Sequence, residues 1–168
     1  MTHNITPMLW FDSEAEEAAR FYCSLFPDSR ITDISRYGEG VPGAEAGTVL
    51  TVAFELEGRP FNALNGGPQF AFTEAVSFVV NCETQEEVDR FWDALIVNGG
   101  EESMCGWLKD RFGLSWQIIP TALPRLLTDP DPAKAQAVMQ AMLQMRKIEV
   151  PVLQAAYDGA TAGVATPA

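Results

Sequence analysis

Two periods of apolar and polar positions alternate along this chain, and they predict its elements. Ile5–Phe11 is an apolar run of strand length. Asp12-Ser13-Glu14-Ala15-Glu16 follows, with Ser13 and Glu16 at capping-box spacing. Ala18, Phe21, Tyr22, Leu25 and Phe26 then recur at helical intervals, and Pro27-Asp28 stops the helix. Strands are predicted at Arg30–Tyr37, Thr48–Leu56 and Arg59–Leu64. The breaks carry Gly38, Gly40, Pro42 and Gly43, then Gly58, then Gly66-Gly67-Pro68. This half reads β-α-β-β-β.

The second half starts the same way. Ala75–Asn81 is a strand pattern, and Thr84 and Glu87 have capping-box spacing. Val88, Phe91, Trp92, Leu95 and Ile96 form a helical stripe that Gly99-Gly100 ends. Strands follow at about Met104–Lys109 and Leu114–Ile119, joined by Asp110-Arg111-Phe112-Gly113. A slide of 70 positions lays Glu16–Phe26 on Glu86–Ile96 with five of eleven residues identical, and lays Ile5–Phe11 on Ala75–Asn81. The chain therefore reads as an internal repeat whose second copy is shortened after its helix.

Beyond it, Pro120 and Pro124 bracket a short stretch. Pro130 and Pro132 introduce a helix over Ala133–Met145, with Ala135, Val138, Met139, Met142 and Met145 on one side, and Val152–Tyr157 is a further helical stretch. Methionines at that spacing read as packing surface rather than as ligands. The expected division is 1–68 for the first module, 69–121 for the second, 122–158 for a helical tail and 159–168 for a small, polar, disordered end.

With 168 residues, the chain has room for one domain or two small modules. A net charge of -12 repels phosphate backbones and anionic surfaces, which argues against nucleic-acid and membrane partners. Met8–Phe11 is too short to span a bilayer. Cys23, Cys82 and Cys105 are odd in number and far apart, which fits neither a disulfide framework nor a zinc site and places the chain in the reducing cytoplasm.

Several motifs are set aside. Gly38-Glu39-Gly40-Val41-Pro42-Gly43 spells a dinucleotide fingerprint, but Pro42 interrupts it and a strand pattern follows where a helix is required. His3 is the only histidine, so a histidine-based metal site or triad has no material. Cys105 has no histidine beside it and reads as a structural thiol. The acidic runs Glu14/Glu16/Glu17 and Glu83/Glu86/Glu87 fall in first helical turns, where they complement the helix dipole.

The duplicated strand–turn–helix pattern resembles the glyoxalase/bleomycin-resistance (vicinal oxygen chelate) superfamily. Four segments are similar to its PhnB-like, or demethylubiquinone methyltransferase-like, branch. They are Ile5–Phe11, Ala63-Leu64-Asn65-Gly66-Gly67, Cys105–Asp110 and Ser115–Pro120, within a likeness spanning about residues 5–157. The resemblance implies an α+β fold of two βαβββ modules whose curved sheet or barrel encloses a pocket, and a homodimer. Metal-binding relatives carry ligands at four cavity-facing strand positions. Here these positions fall on Pro7, Asn62, Ser77 and Gln117, none of them a histidine or a carboxylate. No metal and no cofactor are therefore expected, and no methyl-donor motif is found.

Alternation along strands extends the pocket. Ser77 and Gln117 on the cavity face bring Leu9, Val79 and Ser115 with them, and leave Met8, Trp10, Phe78, Trp116 and Ile118 toward the helices. Leu50, Val52, Phe54 and Leu56 are continuously apolar, so Thr51 and Glu55 face the cavity, and Trp107 is a candidate wall. The expected pocket is Leu9, Thr51, Asn62, Ser77, Val79, Trp107, Ser115 and Gln117, moderately polar with few charges. It suits a small organic ligand. The leading function is thus a small-molecule binding protein or a metal-independent enzyme. The alternatives are a metal-dependent lyase, isomerase or dioxygenase with non-standard ligands, and an interaction protein with a vestigial pocket.

Overall fold

The computed structural model describes residues 5–161, so His3 lies outside the described residues. The chain divides into two compact units, Met1–Phe72 and Thr73–Ala168. Each carries a four-stranded mixed sheet and helices, the α+β architecture expected, and the linear strand orders make open sheets rather than closed barrels.

Unit 1 contains β1 (Met8–Phe11), α1 (Ala15–Leu25), β2 (Arg30–Arg36), β3 (Val49–Leu56) and β4 (Arg59–Asn65). The strand order is β1-β4-β3-β2, with β1 parallel to β4 and the other pairs antiparallel. Leu9, Ala63 and Val52 lie in one register row and Phe61 and Phe54 in another, and all five are buried. The α1 helix packs on this face through Ala15, Ala18, Ala19 and Tyr22, spaced to share one side. Tyr22 meets Phe54 at 6.4 Å between ring centroids, and Phe54 stacks on Phe61 at 5.4 Å.

The expected Ser13/Glu16 capping box does not form. No side chain at the N-cap of α1 makes a capping bond. The cap comes instead from the end of β4, where Asn65 Oδ1 accepts from Ala15 N–H at 2.8 Å. Asn65 Nδ2 also donates to Val49 O at 3.1 Å, and Asn65 O accepts from the Tyr37 hydroxyl at 2.7 Å. Replacing Asn65 by alanine should remove both side-chain bonds and cost about 1–3 kcal/mol in urea unfolding. Asn65→Asp, which keeps only the acceptor, should fall between.

Unit 2 contains β5 (Ser77–Cys82), α2 (Gln85–Ile96), β6 (Glu101–Glu102), β7 (Trp107–Lys109) and β8 (Ser115–Pro120), in the strand order β5-β8-β7-β6. Here the capping box is present: Thr84 Oγ1 accepts from Glu87 N–H, and a Glu87 carboxylate oxygen accepts from Glu83 N–H. Val88, Phe91, Trp92 and Leu95 bury the predicted stripe. The strand expected from Met104 starts only at Trp107, because Cys105 (φ 59) and Gly106 (φ 84) adopt left-handed conformations. Asp110 organises the β7–β8 turn. Its Oδ1 accepts from Phe112 and Leu114 N–H, and its Oδ2 accepts from the Trp116 indole at 2.9 Å.

The tail belongs to unit 2 and forms α3 (Ala122–Leu127), α4 (Pro132–Met142) and α5 (Val150–Thr161). Pro124 is tolerated inside α3 because it sits in the first turn, where N–H groups lack helical partners. The helix expected to Met145 ends at Met142, and α5 continues through Thr161, so the end expected to be disordered from 159 starts inside a helix. Leu123, Leu126, Val138, Ile148 and Leu153 form a core, with Ile119, Met142, Met145 and Tyr157 packed against it. Val138, Met142 and Met145 of the methionine-rich stripe are therefore used within the chain, leaving Met139 exposed. Backbone bonds fasten the tail: Cys105 and Gly106 N–H donate to Met145 and Arg146 carbonyls. Gln85 donates to Ile148 O and accepts from Val150 N–H. Among the described residues no helix is long and apolar enough to cross a membrane.

Candidate functional site

The helix-averted face of the unit 2 sheet gathers most of the polar candidates. Register pairing puts Ser77, Ser115 and Lys109 in one row across β5, β8 and β7, and Val79, Gln117 and Trp107 in the next. Trp116, Ile118, Val80 and Cys82 point to the opposite, buried side. Gln117 Nε2 donates to Ser77 Oγ at 2.8 Å, joining neighbouring strands through an amide and a hydroxyl. Val79 is half exposed, and Trp107 is partly buried beside Gln117. Lys109 is ion-paired with Glu74, and their hydrogen bond holds Glu74 below the ordinary carboxylate value and Lys109 above the ordinary amine value. Ser115 is buried, and its Oγ has no hydrogen-bond partner.

In unit 1, Met8, Asn62 and Ala53 form one row, and Trp10, Leu64, Thr51 and Ser35 the next. Thr51 and Asn62 thus share the face averted from α1, and Thr51 Oγ1 and Ser35 Oγ share a hydrogen bond at 2.5 Å. Asn62 and Gln117 hold matching places, each on the strand beside the parallel edge strand of its sheet.

Leu9 does not join this face. It is 6% exposed and lies in the core row with Ala63 and Val52, whereas Met8 is exposed and Trp10 is half-buried. Trp10 donates its indole N–H to Gly67 O and meets Phe70 edge-on at 5.0 Å. The reason is one extra residue. Three positions, Asp12 to Glu14, separate β1 from α1, but only Glu83 and Thr84 separate β5 from α2. Strands and helices therefore superpose with different offsets, and a slip of one residue exchanges the faces of a strand. Pro7, placed by the same slide, is exposed, and its carbonyl accepts from Asn62 N–H.

Unit 1 also has an open cleft of about 840 Å³ that the pattern of strands did not reveal. Asp12, Glu16, Tyr37, Asn65 and the loop around Val41–Glu45 contribute to its lining. Its walls come from three separate loops, so only the Gly-rich breaks signal it in the sequence. Of the Gly38–Gly43 motif, Val41, Pro42 and Gly43 line it, and the motif connects two strands without the helix that a dinucleotide site requires.

Burial pushes the Cys82 thiol up to about 11 and raises Cys23 as well. Among the described residues no three His, Cys, Asp or Glu side chains come together as a metal-binding group.

A family model described as 3-demethylubiquinone-9 3-methyltransferase matches residues 3–119. The PhnB protein of Bacillus cereus is 40% identical and superposes with a TM-score of 0.64, covering 71% of this chain and 100% of that one. A Pseudomonas aeruginosa protein is 20% identical with a TM-score of 0.58, covering 71% and 98%. The comparison with curated proteins gives no match. The family match ends at residue 119, before the helical tail.

Proposed function

The chain belongs to the PhnB-like, 3-demethylubiquinone-9 3-methyltransferase family, and from that premise we propose that it binds a small uncharged organic molecule without a metal. The observation that carries this reading is the 2.8 Å hydrogen bond between Gln117 Nε2 and Ser77 Oγ. These residues stand where the resemblance puts metal ligands. An amide and a hydroxyl bonded to each other are poor donors for a divalent transition metal, which favours histidine, thiolate and carboxylate. They are good partners for a neutral polar group. Trp107 and Val79 in the adjacent row add apolar surface, the mixture typical of small-molecule sites.

The family's description implies a methyl donor, and the residues do not fit one of the Rossmann type. The Gly-rich motif joins two strands, and the first turns of α1 and α2 carry glutamates where a Gly-rich phosphate cradle would lie.

The same reading includes a homodimer, the assembly implied by the resemblance, in the reducing cytoplasm that suits three free cysteines. The exposed large apolar side chains that the tail offers to such a dimer are Met139, Leu143 and Val152. Light scattering at micromolar concentration should give twice the chain mass; the monomer mass would contradict the dimer.

Ligand-observed NMR with a fragment set tests the site. Uncharged carbonyl compounds should bind, dialysis against EDTA should leave binding unchanged, and Gln117→Leu should weaken it about tenfold or more. Binding that disappears with EDTA and returns with zinc or manganese would refute the reading.

A further inference from the structure

Ser115 stands apart on the helix-averted face of the unit 2 sheet. It is 1% exposed, and its Oγ is the one buried side-chain oxygen or nitrogen without a partner among the described residues. Buried hydroxyls nearly always find partners, and an orphan one costs free energy that alanine would avoid. A serine kept in this place calls for a partner that the chain itself does not supply.

Its surroundings define that partner. Ser77 flanks Ser115 on β5 and Lys109 flanks it on β7, all three in one row. Ser77 Oγ already accepts from Gln117, so its own O–H is free to donate. Two hydroxyl donors on strands about 4.8 Å apart suit a single oxygen between them. Gln117 Oε1 is an acceptor beside them, suited to a hydroxyl or N–H next to that oxygen. Glu74 neutralises the one cation in the row, Lys109. Glu74 lies three residues before β5, so its ion pair with Lys109 ties the segment leading into β5 to β7, the two strands that flank β8.

We propose that Ser115 is the specificity-determining residue of this site. It donates to the carbonyl oxygen of an uncharged ligand that carries a hydroxyl or N–H beside that carbonyl, and the Lys109–Glu74 pair is a strap that parts to admit it. The proposal rests on the reading of Ser77 and Gln117 as ligand-binding groups. Trp107, one row along, offers a flat apolar surface for the ligand's body.

The test uses 2-hydroxyacetophenone as the probe, titrated calorimetrically into the full chain and into Ser115→Ala, Gln117→Leu and Glu74→Gln. Ser115→Ala should weaken binding about three- to tenfold while melting at or above the wild-type temperature. Glu74→Gln should raise the association rate in stopped-flow measurements. Ser115→Ala that binds as wild type while Gln117→Leu binds weakly would overturn the role of Ser115 and leave the site standing. A wild-type chain that ignores the probe at millimolar concentration, or Gln117→Leu that binds unchanged, would overturn the site as well. Ser115→Ala that melts well below wild type would assign the hydroxyl a structural partner and end the proposal. An unchanged association rate in Glu74→Gln would remove the strap.

Discussion

Deleting residues 130–168 is expected to abolish soluble, folded protein, or to cost more than about 5 kcal/mol if some is recovered. The deletion removes Val138, Ile148 and Leu153, each fully buried, and uncovers Leu123, Leu126 and Ile119. It also takes away the carbonyls of Met145 and Arg146 that receive Cys105 and Gly106 N–H, and the backbone partners of Gln85. Leu153→Ala alone should cost about 2–5 kcal/mol. The expectation is informative because 71% of this chain covers the whole length of the Bacillus cereus relative, and the family match ends at residue 119, before the tail. In this chain the surface near Ile119 and Gly106 is built around it. A Cβ at Gly106 would lie 3.1 Å from Ile148 Cγ1 and 3.0 Å from Ile118 O. A truncated chain with unchanged solubility and melting would show that the tail is dispensable. Circular dichroism and sedimentation on the purified truncation decide it.

Replacing Asp110 by alanine is the second large effect. Asp110 is 2% exposed, and its carboxylate accepts two backbone N–H groups and the buried Trp116 indole. Without it, Leu114 N–H and the indole are left without these acceptors inside unit 2, at about 1–3 kcal/mol each. The expected loss is about 3–5 kcal/mol in chemical denaturation. Asp110→Asn retains one oxygen for the turn but sets an amide N–H₂ against the Trp116 N–H if that oxygen serves the backbone, so it should recover only part. Because the turn leads into β8, the variant should also weaken ligand binding through Gln117, two residues beyond the start of that strand. Stability within about 0.5 kcal/mol of wild type in Asp110→Ala would contradict this account of the turn.

What the sequence revealed follows from the range of each signal. The stripes Val88, Phe91, Trp92 and Leu95 and the alternation Ser77, Val79 against Phe78, Val80 are local, and both are found in the fold. Leu9 faces the core rather than the pocket because periodicity carries no record of the extra residue between β1 and α1, and one residue is enough to exchange the faces. The cap of α1 is 50 residues away on Asn65, beyond any local motif, whereas the box at Thr84 and Glu87 is local and forms. The two-residue strand β6 is made of glutamates and has no apolar pattern to detect. The docking of the tail depends on carbonyls at Met145, Arg146 and Ile148, and backbone groups have no signature in composition. The place of the orphan Ser115 hydroxyl between Ser77 and Lys109 likewise follows from register, which the alternation gave by face but not by partner.

The central claim is that an uncharged organic ligand is held at Ser77 and Gln117 without a metal. Native mass spectrometry of gently purified protein tests it most directly. The account predicts a native mass equal to the polypeptide plus an organic molecule that is released on denaturation and is absent from Gln117→Leu. A native mass raised instead by a zinc, iron, nickel or manganese ion on each chain, retained after dialysis, would contradict it.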